Sequence, residues 1–276
     1  MSLKALLSEI KERSCLVVGD ALMDIYHFGQ CDRLSPEAPV PVWVRDTNDT
    51  RNGARSGGAM HVYSQLKELG IKTAVFSPPA GLKHRYMVGH HQMFRVDEDY
   101  FAKPNWAAGI DWAAETRAVD AVILTDYAKG ALTHELSETI LSAAYGNGVP
   151  VVVDPKHADW TRFKLATLLV PNAKELAAAI NTNGFDVVEK CSSDGLKYHK
   201  DGEPTRNFPA CARTVFDVTG AGDIVTAILA AALACEAPIA DGCKLANIAA
   251  GIAVGKVGTS IATLPEILEV IDIMGL

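Results

Sequence analysis

The sequence predicts an α/β protein: a mostly parallel β-sheet with helices between its strands, joined to a small second sheet. Three observations carry that reading. Short, continuous apolar runs at 16–18, 121–124, 151–153 and 168–170 each end in polar residues. Stretches of helical periodicity fill the gaps between and after them. Two turn-rich segments, about 26–56 and 84–97, interrupt that rhythm.

The runs are Leu16-Val17-Val18, Ala121-Val122-Ile123-Leu124, Val151-Val152-Val153 and Leu168-Leu169-Val170. Runs that do not alternate with polar residues read as strands buried on both faces, as in a parallel sheet. They end at Gly19-Asp20, Thr125-Asp126, Asp154 and Pro171-Asn172. Ligands of open α/β sheets bind beyond the carboxyl ends of the strands, so these four ends are expected to face one cleft.

Helices are expected over 58–69, 133–145, 174–180, 223–235, 245–257 and 265–273. The first stops at Gly70, which suits a left-handed C-terminal glycine, and the second stops at Gly146. The stretch 223–235 is apolar nearly all round and predicts a buried central helix. Pro265 suits the first turn of the last. The second sheet is expected from Val40-Pro41-Val42-Trp43-Val44 and from a hairpin over 84–97 with Gly89-His90 at its tip. Residues 1–276 are read as one domain, with a discontinuous lid over about 26–56 and 84–97.

Composition narrows the function. The 276 residues are 49% hydrophobic and 21% charged, with 26 Lys and Arg against 33 Asp and Glu, a net charge of −7. That balance argues against nucleic acid or an anionic membrane as partner and leaves a small ligand. No apolar run reaches the ~20 residues of a membrane span. Residues 1–13 carry Lys4, Glu9, Lys11 and Glu12 and do not read as a secretory signal. Six cysteines without C-x-x-C spacing predict reduced thiols in a cytoplasmic protein.

The string Asp217-Val218-Thr219-Gly220-Ala221-Gly222-Asp223 opens the apolar helix. Glycines let the backbone approach an anion, and the first helical N–H groups point outward with the positive end of the helix dipole. Asp223 at that end could take a proton from an attacking hydroxyl while the amides hold a transferring phosphoryl group. The plainer alternative is a helix-capping carboxylate beside a tight glycine turn.

That string resembles the second signature of the ribokinase-like (PfkB) carbohydrate kinases. Gly19-Asp20-Ala21-Leu22-Met23-Asp24, Ser35-Pro36-Glu37-Ala38-Pro39-Val40-Pro41-Val42, Leu124-Thr125-Asp126-Tyr127-Ala128-Lys129-Gly130, Asp154-Pro155-Lys156 and Gly255-Lys256-Val257-Gly258-Thr259-Ser260 follow the family order. Within the family they resemble the kinase domain of heptose-7-phosphate kinases. The resemblance implies a three-layer α/β/α sandwich with a β-sheet lid, dependence on ATP and Mg²⁺, a monovalent cation in some members, and often a homodimer through the lid. It implies an anomeric hydroxyl of a heptose 7-phosphate as acceptor.

Residue by residue, the resemblance makes Asp223 the base and Gly220, Ala221 and Gly222 the anion hole. Asp24, Gly57, Gly58 and His61 fall at sugar-binding positions. Arg85, Asp126, Lys129 and Lys156 are candidates for the sugar or its phosphate, because cations bind phosphate through charge-assisted hydrogen bonds. Lys83 and Arg95 on the hairpin are further cations. Asn172 and Glu175 form the Asn-x-x-Glu pair that positions Mg²⁺ through water; by residue type alone they equally describe a capped helix start. Lys190, Thr219, Asn247, Gly251, Lys256 and Gly258 fall along the nucleotide. Lys256 could instead be a helix C-terminal cation.

The chain departs from the family pattern in four places. His61 stands where the Gly-Gly-x-x-Asn signature has Asn. The segments 78–83 and 181–186 are shorter than in relatives. Lys190 or Cys191 replaces a strand-end Thr. The His-x-Gly-His signature of the bifunctional relatives' nucleotidyltransferase half does not occur. Two alternatives therefore stay open: a kinase of the same fold for another sugar, and a sugar- or nucleotide-binding protein with weakened catalysis.

Overall fold

A computed structural model describes residues 1–103, 105–212, 215–256 and 258–276. Val257, part of one quoted motif and the expected end of helix 245–257, lies outside the described residues. In chain order the elements begin with α1 (Leu3–Ile10), β1 (Ser14–Gly19), β2 (Ala21–Leu34), β3 (Pro41–Arg45), β4 (Gly53–Gly58) and α2 (Ala59–Glu68). Next come β5 (Lys72–Phe76), β6 (Pro79–Val88), β7 (His91–Asp99), α3 (Trp112–Arg117), β8 (Ala121–Thr125), α4 (His134–Gly146), β9 (Val151–Asp154) and β10 (Leu168–Leu169). The chain continues with α5 (Ala173–Ala178), β11 (Val187–Lys190), β12 (Leu196–His199), β13 (Arg206–Phe208), α6 (Ala221–Ala234), α7 (Ile239–Val254) and α8 (Leu264–Met274).

The large sheet runs β13-β12-β11-β10-β9-β8-β1-β5. Pairing is parallel from β11 through β5 and antiparallel where β12 and β13 complete the far edge. Strand residues alternate between two buried clusters. Val17, Ile123 and Val152 pack with Leu66, Ile228 and Ala249 on one face. Leu16, Val18, Leu124 and Val153 pack with Trp112, Ile140 and Trp160 on the other. Each strand run is continuously apolar because both faces are covered by helices. The result is the three-layer α/β/α arrangement of the ribokinase-like fold.

The polar ends of β10, β9, β8 and β1 lie side by side along one edge of this sheet, as the apolar runs predict. Gly19 makes close approach possible there: a Cβ on it would sit 2.1 Å from the Thr125 carbonyl oxygen. Helix α6 is buried almost throughout, and burying each of Ile224, Ile228 and Leu229 contributes about 1.5–3 kcal/mol. This packing anchors the helix whose first turn carries Asp223.

The second sheet runs β3-β2-β6-β7, with β4 also on β2. It extends beyond 26–56 and 84–97, starting at Ala21 and ending at Asp99. Strand β2 buries Leu22, Asp24, Tyr26 and Phe28 in alternation, so no apolar run marks its start. Helix α7 likewise begins at Ile239, six positions before the expected 245, immediately after Pro238 at its N-cap.

Candidate active site

Asp223 sits in the first turn of α6 and is only 5% exposed. Gly220 caps the helix with φ 82°, a left-handed geometry that favours glycine. No side chain caps this terminus, so its amides are available to an anion. The Ala221 amide already bonds the Val218 carbonyl at 3.3 Å, and the Thr219 amide bonds Asp217 Oδ1 at 2.9 Å, which shapes the approach turn.

Both oxygens of Asp223 are engaged. The Tyr127 hydroxyl donates to Oδ1 at 2.5 Å. His61, 2% exposed on α2, places Nδ1 3.1 Å from Oδ2 and Nε2 3.2 Å from the Ser260 carbonyl oxygen. Burial and the neighbouring Asp223 and Asp154 charges push the Tyr127 phenol well above its ordinary range, so it stays a neutral donor. The site reading from sequence omitted Tyr127, although it stands between two chosen residues, Asp126 and Lys129. A single aromatic at a strand end carries no periodic signal.

Asp24 faces the same region from β2. Arg85 donates to its Oδ1 through Nε and Nη2, both at 2.8 Å, and Thr259 Oγ1 lies 3.1 Å from Oδ2. Gly57 keeps this pocket open: a Cβ there would lie 3.0 Å from Asp24 Oδ2. Gly58 caps α2 at φ 58°, and its missing side chain admits the Asp20 carbonyl and the Tyr127 ring. Lys83 reaches to 5.5 Å above the Tyr127 ring, so it borders the site more closely than its place among the secondary cations suggested.

The strand-end carboxylates divide their work. Asp20 accepts from the amides of Tyr127, Lys129 and Ala131 and so shapes the loop that presents Tyr127. Asp126 accepts from the amides of Ala128, Lys156 and His157 and from the His157 ring, all at 2.5–3.2 Å. Burial raises its carboxyl, but these bonds, led by His157, outweigh it and hold it below the ordinary value. These bonds shape the loops after β8 and β9. The Lys129 ammonium pairs with Asp99. Lys156 is 52% exposed and pairs with Glu175 at 3.1 Å.

Lys190 ends β11 and bonds both oxygens of Asp154 at 2.8 and 2.7 Å. A Cβ on Gly222 would lie 3.3 Å from its ammonium, which puts a cation against the opening turn of α6. Thr226 Oγ1 adds a 3.1 Å bond to Asp154. Burial pushes the Asp154 carboxyl up to about 6 despite Lys190.

Asn172 and Glu175 form a closed capping box: Asn172 Oδ1 accepts the Lys174 and Glu175 amides, and Glu175 Oε2 accepts the Asn172 amide. Asn247 donates to the Phe208 and Pro209 carbonyls, and Gly251 lets the 211–212 backbone pack on α7. Lys256 bonds the Ile261 carbonyl and Glu266, so it fastens the following loop to α8. Gly258, at φ 76°, packs on Arg55 and Tyr26 of the second sheet.

The geometry therefore combines an uncapped glycine-flanked helix terminus, a buried carboxylate in its first turn and a second sheet beside it: the site of a ribokinase-like α/β protein. Solved structures agree on the fold. A ribokinase of Arabidopsis thaliana complexed with ribose and ATP superposes with a TM-score of 0.67 at 18% identity, over 93% of this chain and 98% of that one. Phosphofructokinase-2 of Escherichia coli, in complex with substrates and products, gives 0.67 at 14% identity, over 96% and 100%. The model of the pfkB family carbohydrate kinases matches residues 61–267, and the chain belongs to that family. Among curated relatives, the bifunctional protein HldE of Trichlorobacter lovleyi is 34% identical over 94% of this chain and 63% of its own length. HldE of Methylobacillus flagellatus is 36% identical over 88% and 60%. The chain spans less than two thirds of the length of these relatives.

Proposed function

We propose that residues 1–276 form one kinase domain, with the second sheet as its lid, that transfers the γ-phosphoryl group of ATP to a sugar. The acceptor is the anomeric hydroxyl of a heptose 7-phosphate. The observation that carries this reading is Asp223 in the uncapped first turn of α6. Its carboxylate takes the hydroxyl proton while the helix amides hold the transferring group. Asp24 accepts sugar hydroxyls, and Arg85 and Lys83 offer charge to the sugar phosphate. Lys190, beside Gly222, meets the nucleotide phosphates. The heptose rests on the Ser35–Val42 and Asp126–Gly130 strings and on the HldE relatives.

Among the described residues no three His, Cys, Asp or Glu side chains converge on a direct metal cage. As the resemblance implies, Asn172 and Glu175 would hold a hydrated Mg²⁺, which keeps most of its waters, and it would neutralise phosphate charge. Asn172 Oδ1 already accepts two amides, so the Glu175 carboxylate has the lone pairs to spare for metal-bound water. A monovalent cation, as the resemblance implies for some members, belongs to the same reading; in the loop after α7 the Lys256 ammonium donates to the Ile261 carbonyl. A cytoplasmic homodimer through the lid belongs to the same reading; β7 is exposed along its length, including Met93, Phe94 and Val96. No described helix is long and apolar enough to cross a membrane.

ATP consumption against a panel of sugars and sugar phosphates tests the proposal, with Asp223→Asn as control. Turnover is expected with a heptose 7-phosphate and a ~10²–10⁴-fold loss in the variant. Equal rates for variant and wild type overturn it. The engagement of both Asp223 oxygens favours one second reading, a binding protein. Calorimetry showing sugar binding without ATP–Mg²⁺ binding would select it.

A further inference from the structure

The contact between His61 and Asp223 fixes a count of protons. The Ser260 carbonyl oxygen can only accept, so His61 Nε2 carries a hydrogen. The neutral Tyr127 phenol donates into the other carboxylate oxygen. The 3.1 Å contact between Nδ1 and Oδ2 then needs one proton more. It sits either on the ring, making imidazolium and carboxylate, or on the carboxyl, beside neutral imidazole.

The ring is packed at this contact. A Cβ on Gly220 would lie 2.4 Å from His61 Cε1 and 2.7 Å from Nδ1, so the imidazole rests directly on the α6 N-cap. A cation at a helix N-terminus is opposed by the helix dipole. An imidazolium is therefore tolerable there while Asp223 is negative and is driven off when Asp223 becomes neutral.

We propose that His61 is a positioning residue that shares a single proton with Asp223, and that release of this proton arms the base for the sugar hydroxyl. With the shared proton gone, the Nδ1 lone pair faces the carboxylate. When the acceptor oxygen forms its bond to phosphorus, its proton passes to Asp223 and refills the contact with His61. The proton then leaves to solvent, and the pair is ready again. The ring forms part of the wall of an open cleft of about 340 Å³ with Arg55, Ser64, Lys256 and Ser260, which gives the proton a way out. This inference rests on the kinase reading and assigns a role to the residue that departs from the family's Asn.

The charged surroundings agree. Burial disfavours the imidazolium, but the Asp223 hydrogen bond and charge outweigh it, with help from the Ser260 carbonyl and from Asp24 on β2. The net effect raises the ring above an ordinary histidine. Arg85 is committed to Asp24, and Arg55 and Lys256 line the same cleft as His61.

The test joins nitrogen-resolved NMR of the His61 ring with pH profiles of kcat/KM for wild type and His61→Asn. The ring signal is assigned by its loss in that variant or by its shift in Asp223→Asn. A His61 ring signal that changes at the pH of the wild-type acid limb is expected. The limb in His61→Asn is expected to move down by about one unit or more. A ring signal that does not change through that limb overturns the proposal, as does an unmoved limb. Should no sugar be phosphorylated, the kinase reading fails, while the NMR titration of wild type still decides the shared proton. If His61→Asn does not fold, His61→Gln takes its place in the profile.

Discussion

Tyr127 and Asp223, 96 positions apart, meet in a 2.5 Å hydrogen bond that ties the end of β8 to the first turn of α6. Short bonds to a carboxylate are the strong ones. Tyr127→Phe is expected to cost about 1.5–3 kcal/mol of stability. It should also lower kcat about tenfold, as the carboxylate loses its fixed hydroxyl donor. Denaturant midpoints and initial rates check both, and no change in either would show the bond to be idle.

Asp20 holds three backbone amides of the loop that presents Tyr127. Asp20→Ala leaves them buried without their acceptor, and a loss of about 3 kcal/mol or more is expected. kcat should fall with it through misplacement of Tyr127. Asp20→Asn keeps one acceptor oxygen and should lose less of both. Calorimetric melting of the two variants makes the comparison.

The Arg85–Asp24 pair is buried, so removing one partner strands the other. Arg85→Met is expected to destabilise by about 3–5 kcal/mol. Arg85→Met combined with Asp24→Leu removes both charges and should recover most of that loss. The double variant should still fail to bind sugar, which isothermal titration would reveal. Recovery of sugar binding would remove Asp24 from the site.

Asp154 brings a pH dependence of definite sign. Its folded carboxyl is raised to about 6 by burial, against an ordinary value near 4. The folded state therefore holds this proton more tightly. The resulting contribution to stability, about 3 kcal/mol, is complete below about pH 4 and is lost as pH rises through about 6. Lys190→Met removes the compensating cation, so the loss should continue to higher pH. The same variant should raise KM for ATP about tenfold or more. Unfolding curves between pH 4 and 8 test the first, and steady-state kinetics the second.

The core strands were legible because burial on both faces leaves uninterrupted apolar runs, and their polar ends pointed to the cleft. Asp223 was legible because glycines crowd the start of an otherwise apolar helix. The start of β2 was not, since alternating Asp24 and Tyr26 carry no apolar signature. Strand-end strings single out Lys129 and Lys156 and the family resemblance singles out Lys256, but neither says which carboxylate a lysine finds; here they pair with Asp99, Glu175 and Glu266. Asn172 and Glu175 were visible as a pair because a capping box and a hydrated-metal motif need the same residue types at the same spacing.

Thr259 stands in the loop after α7, yet its partners belong to the second sheet. Its amide donates to the Tyr26 hydroxyl at 3.0 Å, its side chain reaches Asp24, and the preceding Gly258 rests on Arg55 and Tyr26. Sheet and loop are thereby pinned as a single lever. Were the sheet to swing over a sugar as the proposed lid, it would drag along the loop that the family resemblance sets along the nucleotide. One end of the cleft would then learn of occupancy at the other as a displacement, with no change of charge needed to carry the message.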